Sequence, residues 1–218
     1  MTLRLAVLAS GRGSNLQAIL DAIASGALDA SIVGLWSDRR DAFALERARA
    51  AGVPAHVVRP RDHADRAAHD AALFGSIDAT GADLIVCAGY MRLIGASAVA
   101  ARPGRMINIH PSLLPLFKGL HTHQQALDAG VTEHGASVHV VTADLDAGPV
   151  LAQARVPVLP GDDADTLAAR VLEREHPLLV QTLHTIATGR LVPGAEMARL
   201  DGAPLAAPLQ LTANNRFA

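Results

Sequence analysis

The stretch Arg105-Met-Ile-Asn-Ile-His-Pro-Ser-Leu-Leu-Pro115 decides how the fold is read. Met106, Ile107 and Ile109 form a brief apolar run after Pro103-Gly104, which suits a short strand buried at the centre of a parallel sheet. Asn108 interrupts that run, and His110 follows two residues later, where Pro111 ends the strand. Side chains two apart on a strand share a face, so Asn108 and His110 are predicted to project together near its carboxyl end. In open α/β sheets that end is where ligands bind. An amide beside a protonated imidazole offers two hydrogen-bond donors, suited to a carbonyl oxygen that turns negative in a transition state. These residues alone leave a second reading open, in which Asn108 ties down a loop and His110 is exposed at a strand end.

Upstream, residues 3–9 read as a strand, followed by Ser10-Gly-Arg-Gly-Ser-Asn15 and a helix over residues 14–25, with Ser14 as its cap. A glycine-rich turn running from a strand into a helix N-terminus is a ready anion site. A dinucleotide fingerprint would need a third small residue where Leu16 stands, although Asp38 lies at a plausible ribose position, and a Walker loop would need a Gly-Lys-Ser/Thr that is absent. A single phosphate monoester fits better. Strands are predicted over residues 31–37, 55–58 and 84–88, with helices over 42–51 and 62–80 between them. This alternation implies right-handed βαβ units and a parallel sheet. The turn over residues 89–94 follows the fourth strand, either as a linker with an apolar cover or as a ligand wall.

Downstream, residues 111–123 form a loop rich in Pro, Gly and His, of a length that is more often functional than not. A helix over 121–129 follows, then strands over 135–142 and 149–156 joined by the turn Ala143-Asp-Leu-Asp-Ala-Gly148. A hairpin-like pair there makes the sheet mixed. A long helix over 165–188 is expected to start at Asp165 as cap and to bend or break near Pro177. The tail offers short strands at 191–192 and 197–200, and beyond 208 a frayed end. The fold class is therefore α/β, a single domain: a Rossmann-like parallel sheet in the N-terminal half extends to a mixed sheet in the C-terminal half, with helices on both faces.

Composition narrows the classes of function. Half of the 218 residues are apolar but only 3% are aromatic, which predicts an aliphatic core. No apolar run is long enough to span a bilayer, and the start lacks a signal-peptide layout. Cys87 is the single cysteine and sits in an apolar strand, so no internal disulfide can form and a cytoplasmic location is expected. A formal net charge of −2, with no basic stripe, argues against nucleic acid as the main partner. Lys118 is the only lysine, a usage that reads as codon bias.

Taken together, Gly11-Arg-Gly-Ser-Asn15, Asn108-Ile-His-Pro-Ser-Leu-Leu-Pro115 and Asp144-Leu-Asp-Ala-Gly148 resemble the folate-dependent formyltransferases, and most closely their branch that acts on glycinamide ribonucleotide. The resemblance runs from Leu5 to about Leu200. It implies 10-formyltetrahydrofolate as cosubstrate, no metal, and a place in purine synthesis. It implies a catalytic trio of Asn108, His110 and Asp146. Gly13, Ser14 and Asn15 match the ribonucleotide-phosphate loop, and Leu172, Glu173, Arg174 and Glu175 match a segment on the ribonucleotide, Glu175 at the ribose. Arg66, Met91, Arg92, Leu93, Ile94, Asn108, Thr142, Ala143, Asp144, Leu145 and Asp146 match positions that hold the folate. Residues 111–131 correspond to a mobile flap. Tyr90 departs from the family, where an apolar aromatic is usual, and adds a hydroxyl beside the folate wall. By this resemblance the domain spans residues 1–218: a phosphate-binding half over 1–104, a catalytic and folate-binding half over 105–200, and a tail over 201–218. The protein is expected as a monomer or homodimer.

The implied chemistry is intelligible from the residues. A primary amine attacks a formyl carbon, and Asn108 with protonated His110 stabilises the tetrahedral oxyanion. A carboxylate nearby raises an imidazole pKa, and Asp146 is the candidate, on a turn whose Gly148 would supply the unusual dihedrals. Taken by itself, Asp146 is an ordinary turn residue. Competing expectations are a formyltetrahydrofolate hydrolase, a formyltransferase with another amine acceptor, and a non-catalytic nucleotide-binding module. The hydrolase usually carries an N-terminal regulatory domain, for which a first strand at Leu3 leaves no room. A formyltransferase acting on methionyl-tRNA would add a C-terminal domain and a basic surface.

Overall fold

The computed structural model describes residues 2–217, and its contacts divide the chain into two compact units, Met1–Asn108 and Ile109–Ala218. The first unit is the parallel sheet expected from the strand–helix alternation. Its strands are β1 (Leu3–Leu8), β2 (Ala30–Ser37), β3 (Ala55–Val57), β4 (Leu84–Cys87) and β5 (Met106–His110), in the order β3-β2-β1-β4-β5. Every pairing among them is parallel. The chain winds outward from β1 in one direction and then restarts on its other side at β4. The carboxyl ends of β1 and β4 therefore flank a topological switch point, the usual ligand crevice of such sheets. Leu5, Val7, Leu8, Ile85 and Val86 are fully buried, as strands covered on both faces must be.

Helices α1 (Ser14–Ala24), α2 (Phe43–Ala50), α3 (Arg66–Asp78) and α4 (Ala96–Ala100) connect these strands. Two starts differ from the sequence expectation. Ser14 does not cap α1: the cap position is Gly13, at φ 71°, with no side-chain cap bond. A Cβ on Gly13 would lie 2.7 Å from the Ala44 Cβ, so packing against α2 demands a glycine, which can offer no side-chain cap. The helix expected over 62–80 begins only at Arg66, because Asp65 caps it by accepting from the Ala68 N–H at 2.8 Å. Residues 60–62 form a separate 3₁₀ turn, where Arg59 holds Asp62.

The second unit contains β6 (Glu133–Val140), antiparallel to β7 (Val150–Pro157), and β11 (Leu209–Gln210), parallel to β7. The expected mixed character is present. Strands β8 (Leu191–Val192), β9 (Arg199–Leu200) and β10 (Ala203–Pro204) form a small antiparallel sheet. The helices are α5 (Thr122–Asp128) and α6 (Ala164–Ala187).

Three expectations fail in this unit. Asp163, not Asp165, caps α6, in a reciprocal box: Asp163 Oδ1 accepts from the Thr166 N–H at 2.8 Å and Thr166 Oγ1 accepts from the Asp163 N–H at 2.9 Å. Of the bend or break expected near Pro177, the break does not occur: α6 is continuous there, since Leu167, Val171, Leu178, Leu179 and Leu183 are all fully buried and this packing offsets the lost ladder bond. Residues 209–217 are not frayed as expected. β11 joins β7, and Arg174 donates to the Thr212 carbonyl and to Asn215 Oδ1, both at 2.6 Å. Among the described residues no helix is long and apolar enough to cross a membrane.

Candidate active site

Strand β5 delivers Asn108 as the last residue of the first unit and His110 as the second residue of the next, two positions apart on one strand. His110 is buried, 5% exposed, which removes the reading of an exposed histidine at a strand end. The loop after it is fixed by a polar cluster on β6 and β7. Ser137 Oγ donates to the Ser112 carbonyl at 2.7 Å and accepts from the Leu114 N–H at 3.0 Å. Gln153 Nε2 donates to the Leu114 carbonyl at 2.9 Å and to Ser137 Oγ at 3.1 Å. The Leu114–Pro115 peptide is cis. Such a cluster, satisfied and buried, pins the loop's path with little freedom.

Asp146 lies beside His110, with its Oδ2 3.5 Å from His110 Nδ1. Its Oδ1 is 3.4 Å from Nε2 of His139, a residue the sequence reading passed over. The signal was available, since His139 interrupts an apolar strand just as Asn108 does. The turn differs from expectation in one respect. Asp146 itself takes the left-handed conformation, at φ 47°, while Gly148 is needed for another reason. A Cβ on Gly148 would lie 2.0 Å from the Val140 carbonyl oxygen.

The flap segment contributes main-chain partners to both groups. His110 Nε2 donates to the Phe117 carbonyl at 2.9 Å, and Asp146 Oδ2 accepts from the Gly119 N–H at 2.9 Å. Both nitrogens of His110 thus face acceptors. His139 is placed likewise, with Nδ1 3.0 Å from the Val140 carbonyl and Nε2 toward Asp146. Farther along the loop, His123 Nδ1 and His134 Nε2 lie 3.2 Å apart, and His134 packs edge-on against Phe117.

These contacts set the titration of the site. Burial pushes the His110 pKa down, and it outweighs the Phe117 carbonyl and Asp146, which push it up, while His139 lowers it further. The expectation that the carboxylate would fix the net direction is therefore corrected: the resting site favours neutral His110. Burial pushes the Asp146 carboxyl up, but the bond to His139, the Gly119 N–H and the two imidazoles outweigh it and hold Asp146 ionised. Burial also drives the His134 pKa down to about 4 and the Cys87 thiol up to about 12.

The remaining expected residues fall into separate groups. Gly13, Ser14 and Asn15 form the turn and first turn of α1, which has no acidic residue there to oppose an anion. Met91 and Leu93 are 67% and 61% exposed, with Arg92 also exposed and Ile94 half-buried. They follow β4 on a segment with no helix or strand of its own, and Arg66 starts α3 in the same unit. Thr142, Ala143, Asp144 and Leu145 lead to Asp146, and Thr142 Oγ1 donates to the Asp144 carbonyl at 3.2 Å. On α6, Leu172 and Glu173 are exposed, Glu175 is buried, and Arg174 is committed to the tail. Among the described residues no cluster of His, Cys, Asp and Glu could hold a metal ion.

A buried imidazole beside an ionised carboxylate suits acyl-type group transfer, and the chain belongs to the formyl transferase family. That family's model matches residues 3–183. The phosphoribosylglycinamide formyltransferase of Escherichia coli (strain K12) is 46% identical over 200 residues, covering 92% of this chain and 94% of that protein. The structure of the phosphoribosylglycinamide formyltransferase of Coxiella burnetii, in complex with CHES, superposes with a TM-score of 0.90 at 47% identity, covering 94% of this chain and 97% of the other. Glycinamide ribonucleotide transformylase 1 of Symbiobacterium toebii gives a TM-score of 0.88 at 46% identity, with 91% and 94% covered.

Proposed function

We propose that the protein transfers the formyl group of 10-formyltetrahydrofolate to the primary amine of glycinamide ribonucleotide, giving formylglycinamide ribonucleotide and tetrahydrofolate in purine synthesis. The near full-length similarity to formyltransferases of that specificity supports the acceptor. The single structural observation that carries the chemistry is the His110–Asp146 pair, 3.5 Å apart, with Asn108 on the same strand as His110.

In this reading the amine attacks the formyl carbon, and the carbonyl electron pair moves to oxygen. Asn108 Nδ2 and the imidazolium of His110, its Nε2 exchanging the Phe117 carbonyl for the substrate oxygen, donate to that oxyanion, and both bonds strengthen as charge develops. The intermediate collapses by breaking the bond to the folate nitrogen. The proton lost by the amine reaches that nitrogen through a water held by Asp146. Because His110 rests with a lowered pKa, the imidazolium forms by taking a proton from solvent, favoured by Asp146 and then by the developing negative charge. The N-terminus of α1 receives the acceptor's phosphate through Gly13, Ser14 and Asn15. Arg66, residues 91–94 and residues 142–146 hold the folate, and Leu172, Glu173 and Glu175 meet the ribonucleotide while Arg174 anchors the tail beside them. The phosphate-binding half spans residues 1–104, the catalytic and folate-binding half 105–200, and the tail 201–218. We read the enzyme as cytoplasmic, a monomer or homodimer, acting on small molecules alone, in keeping with a net charge of −2.

Incubation with 10-formyltetrahydrofolate, with and without glycinamide ribonucleotide, tests the assignment. Tetrahydrofolate should form only when the amine is present. Equal turnover without it would make the protein a hydrolase, and binding without turnover would make it a nucleotide-binding module.

A further inference from the structure

The exposed wall over residues 91–94 has a support that its own sequence does not reveal. A segment without helix or strand, carrying Met91 and Leu93 at 67% and 61% exposure, needs its main chain fixed from elsewhere to hold one shape. Two buried side chains grip it, one at each end. At the start, Ser10 Oγ accepts from the Met91 N–H at 2.9 Å. Ser10 is 3% exposed, and its hydroxyl is turned by donation to Asp38 Oδ1 at 2.6 Å. At the far end, Asp70 Oδ2 accepts from the Gly95 N–H at 2.7 Å. Asp70 is 6% exposed, and its other oxygen meets His69 Nδ1 at 3.3 Å. The His69 ring is 1% exposed and anchored by Nε2 to the Val58 carbonyl at 3.0 Å.

We propose that Ser10 and Asp70 are positioning residues for the formyl-folate donor, clamping both ends of the wall so that residues 91–94 present one fixed surface. The inference rests on the reading of this wall as a folate contact and goes beyond it, since both residues are buried and act through the wall's main chain. The two grips are independent in chain and chemistry. Ser10 stands just past β1, at the switch point, and Asp70 sits one helical turn along α3 from Arg66, so the helix that carries the folate arginine also holds the wall. A buried carboxylate accepting a backbone N–H is a strong tether, and a hydroxyl already committed as donor has its lone pairs aimed at the amide. A wall free to move would cost the donor its preorganised surface and would leave the phosphate turn of α1 in place.

Steady-state kinetics on Ser10→Ala, Asp70→Ala and Asp70→Asn, with Met91→Ala as control for the wall itself, tests the clamp. Thermal melts verify folding. Ser10→Ala and Asp70→Ala should each raise the donor KM about tenfold, the loss expected for one buried hydrogen bond, with the acceptor KM within about twofold. Asp70→Asn keeps an oxygen for Gly95 and should recover most of the loss. If Asp70→Ala does not fold, Ser10→Ala and Asp70→Asn carry the test. Donor and acceptor KM rising together would overturn the clamp in favour of general loosening. A flat donor KM in the clamp variants, with a raised one in Met91→Ala, would overturn the clamp alone. A flat donor KM in all of them would overturn the folate reading of the wall, and the clamp with it.

Discussion

Replacing Asp146 by Asn removes a charge from the site and almost nothing else. The position demands a residue that tolerates φ 47°, and Asn is among the few that do. Its amide oxygen can accept from the Gly119 N–H, as Asp146 Oδ2 does at 2.9 Å. Its Nδ2 can donate to His139 Nε2, whose ring then keeps its Nδ1 proton for the Val140 carbonyl. What is lost is the attraction for a protonated His110. At 3.5 Å, two unit charges interact by about 5 kcal/mol at an effective dielectric of about 20. Delocalisation over the ring and the opposing His139 reduce this, and the direction is fixed: without the carboxylate the His110 pKa should fall further in the variant. The interaction strengthens as the oxyanion forms, so kcat should fall by about 10²- to 10³-fold, with dissociation constants of both substrates little changed. The assay pairs turnover with NMR titration of the His110 imidazole. An unmoved His110 pKa together with near-normal turnover would refute the reasoning and return Asp146 to a turn residue.

Other outcomes follow from the same geometry. Gly13→Ala forces a Cβ to 2.7 Å from the Ala44 Cβ at φ 71°, so both the melting temperature and acceptor affinity should fall while donor binding persists; loss of donor binding alone would contradict the phosphate assignment. The His134 pKa of about 4, below its ordinary 6.5, means the fold gains stability from a neutral ring above pH 6.5 and loses it as pH falls toward 4. The full effect is about 3 kcal/mol, and His134→Gln should flatten the melting-temperature profile across that window; parallel profiles would contradict this. Asp163→Ala should lower the urea midpoint through loss of the reciprocal cap on α6, and an unchanged midpoint would contradict the cap's contribution. Residues 111–131 should resist limited proteolysis only when both substrates are bound, and equal cleavage with and without them would count against flap closure.

Much of this was legible in the sequence, for reasons that also explain what was not. Periodicity and glycine placement revealed the parallel sheet, because a strand buried on both faces leaves an apolar run with few alternatives. The interruption at Asn108 pointed to the site for the same reason. Capping was misread where several candidates crowd together. Asp162 and Asp163 precede α6 and Asp165 lies in its first turn, and only the structure shows that Asp162 is taken by Arg170 and the Leu159 N–H, leaving Asp163 as cap. Ser14 failed as a cap because Ala44, distant in sequence, closes over the turn. The tail was misread because its anchor, Arg174, lies on a helix some forty residues away and was assigned wholly to the ligand. The protonation of His110 was out of reach, since burial and a carboxylate push in opposite directions and only coordinates show which wins.

The central claim is that a formyl carbon moves from folate to a ribonucleotide amine at the Asn108–His110–Asp146 site. Supplying 10-formyltetrahydrofolate labelled with ¹³C in the formyl group, together with glycinamide ribonucleotide, and following the label by NMR tests it most directly. The label should appear in the formamide of the ribonucleotide, one for each tetrahydrofolate released, and His110→Ala should abolish its movement. Label recovered as free formate, or transfer undiminished in the His110→Ala variant, would contradict the account.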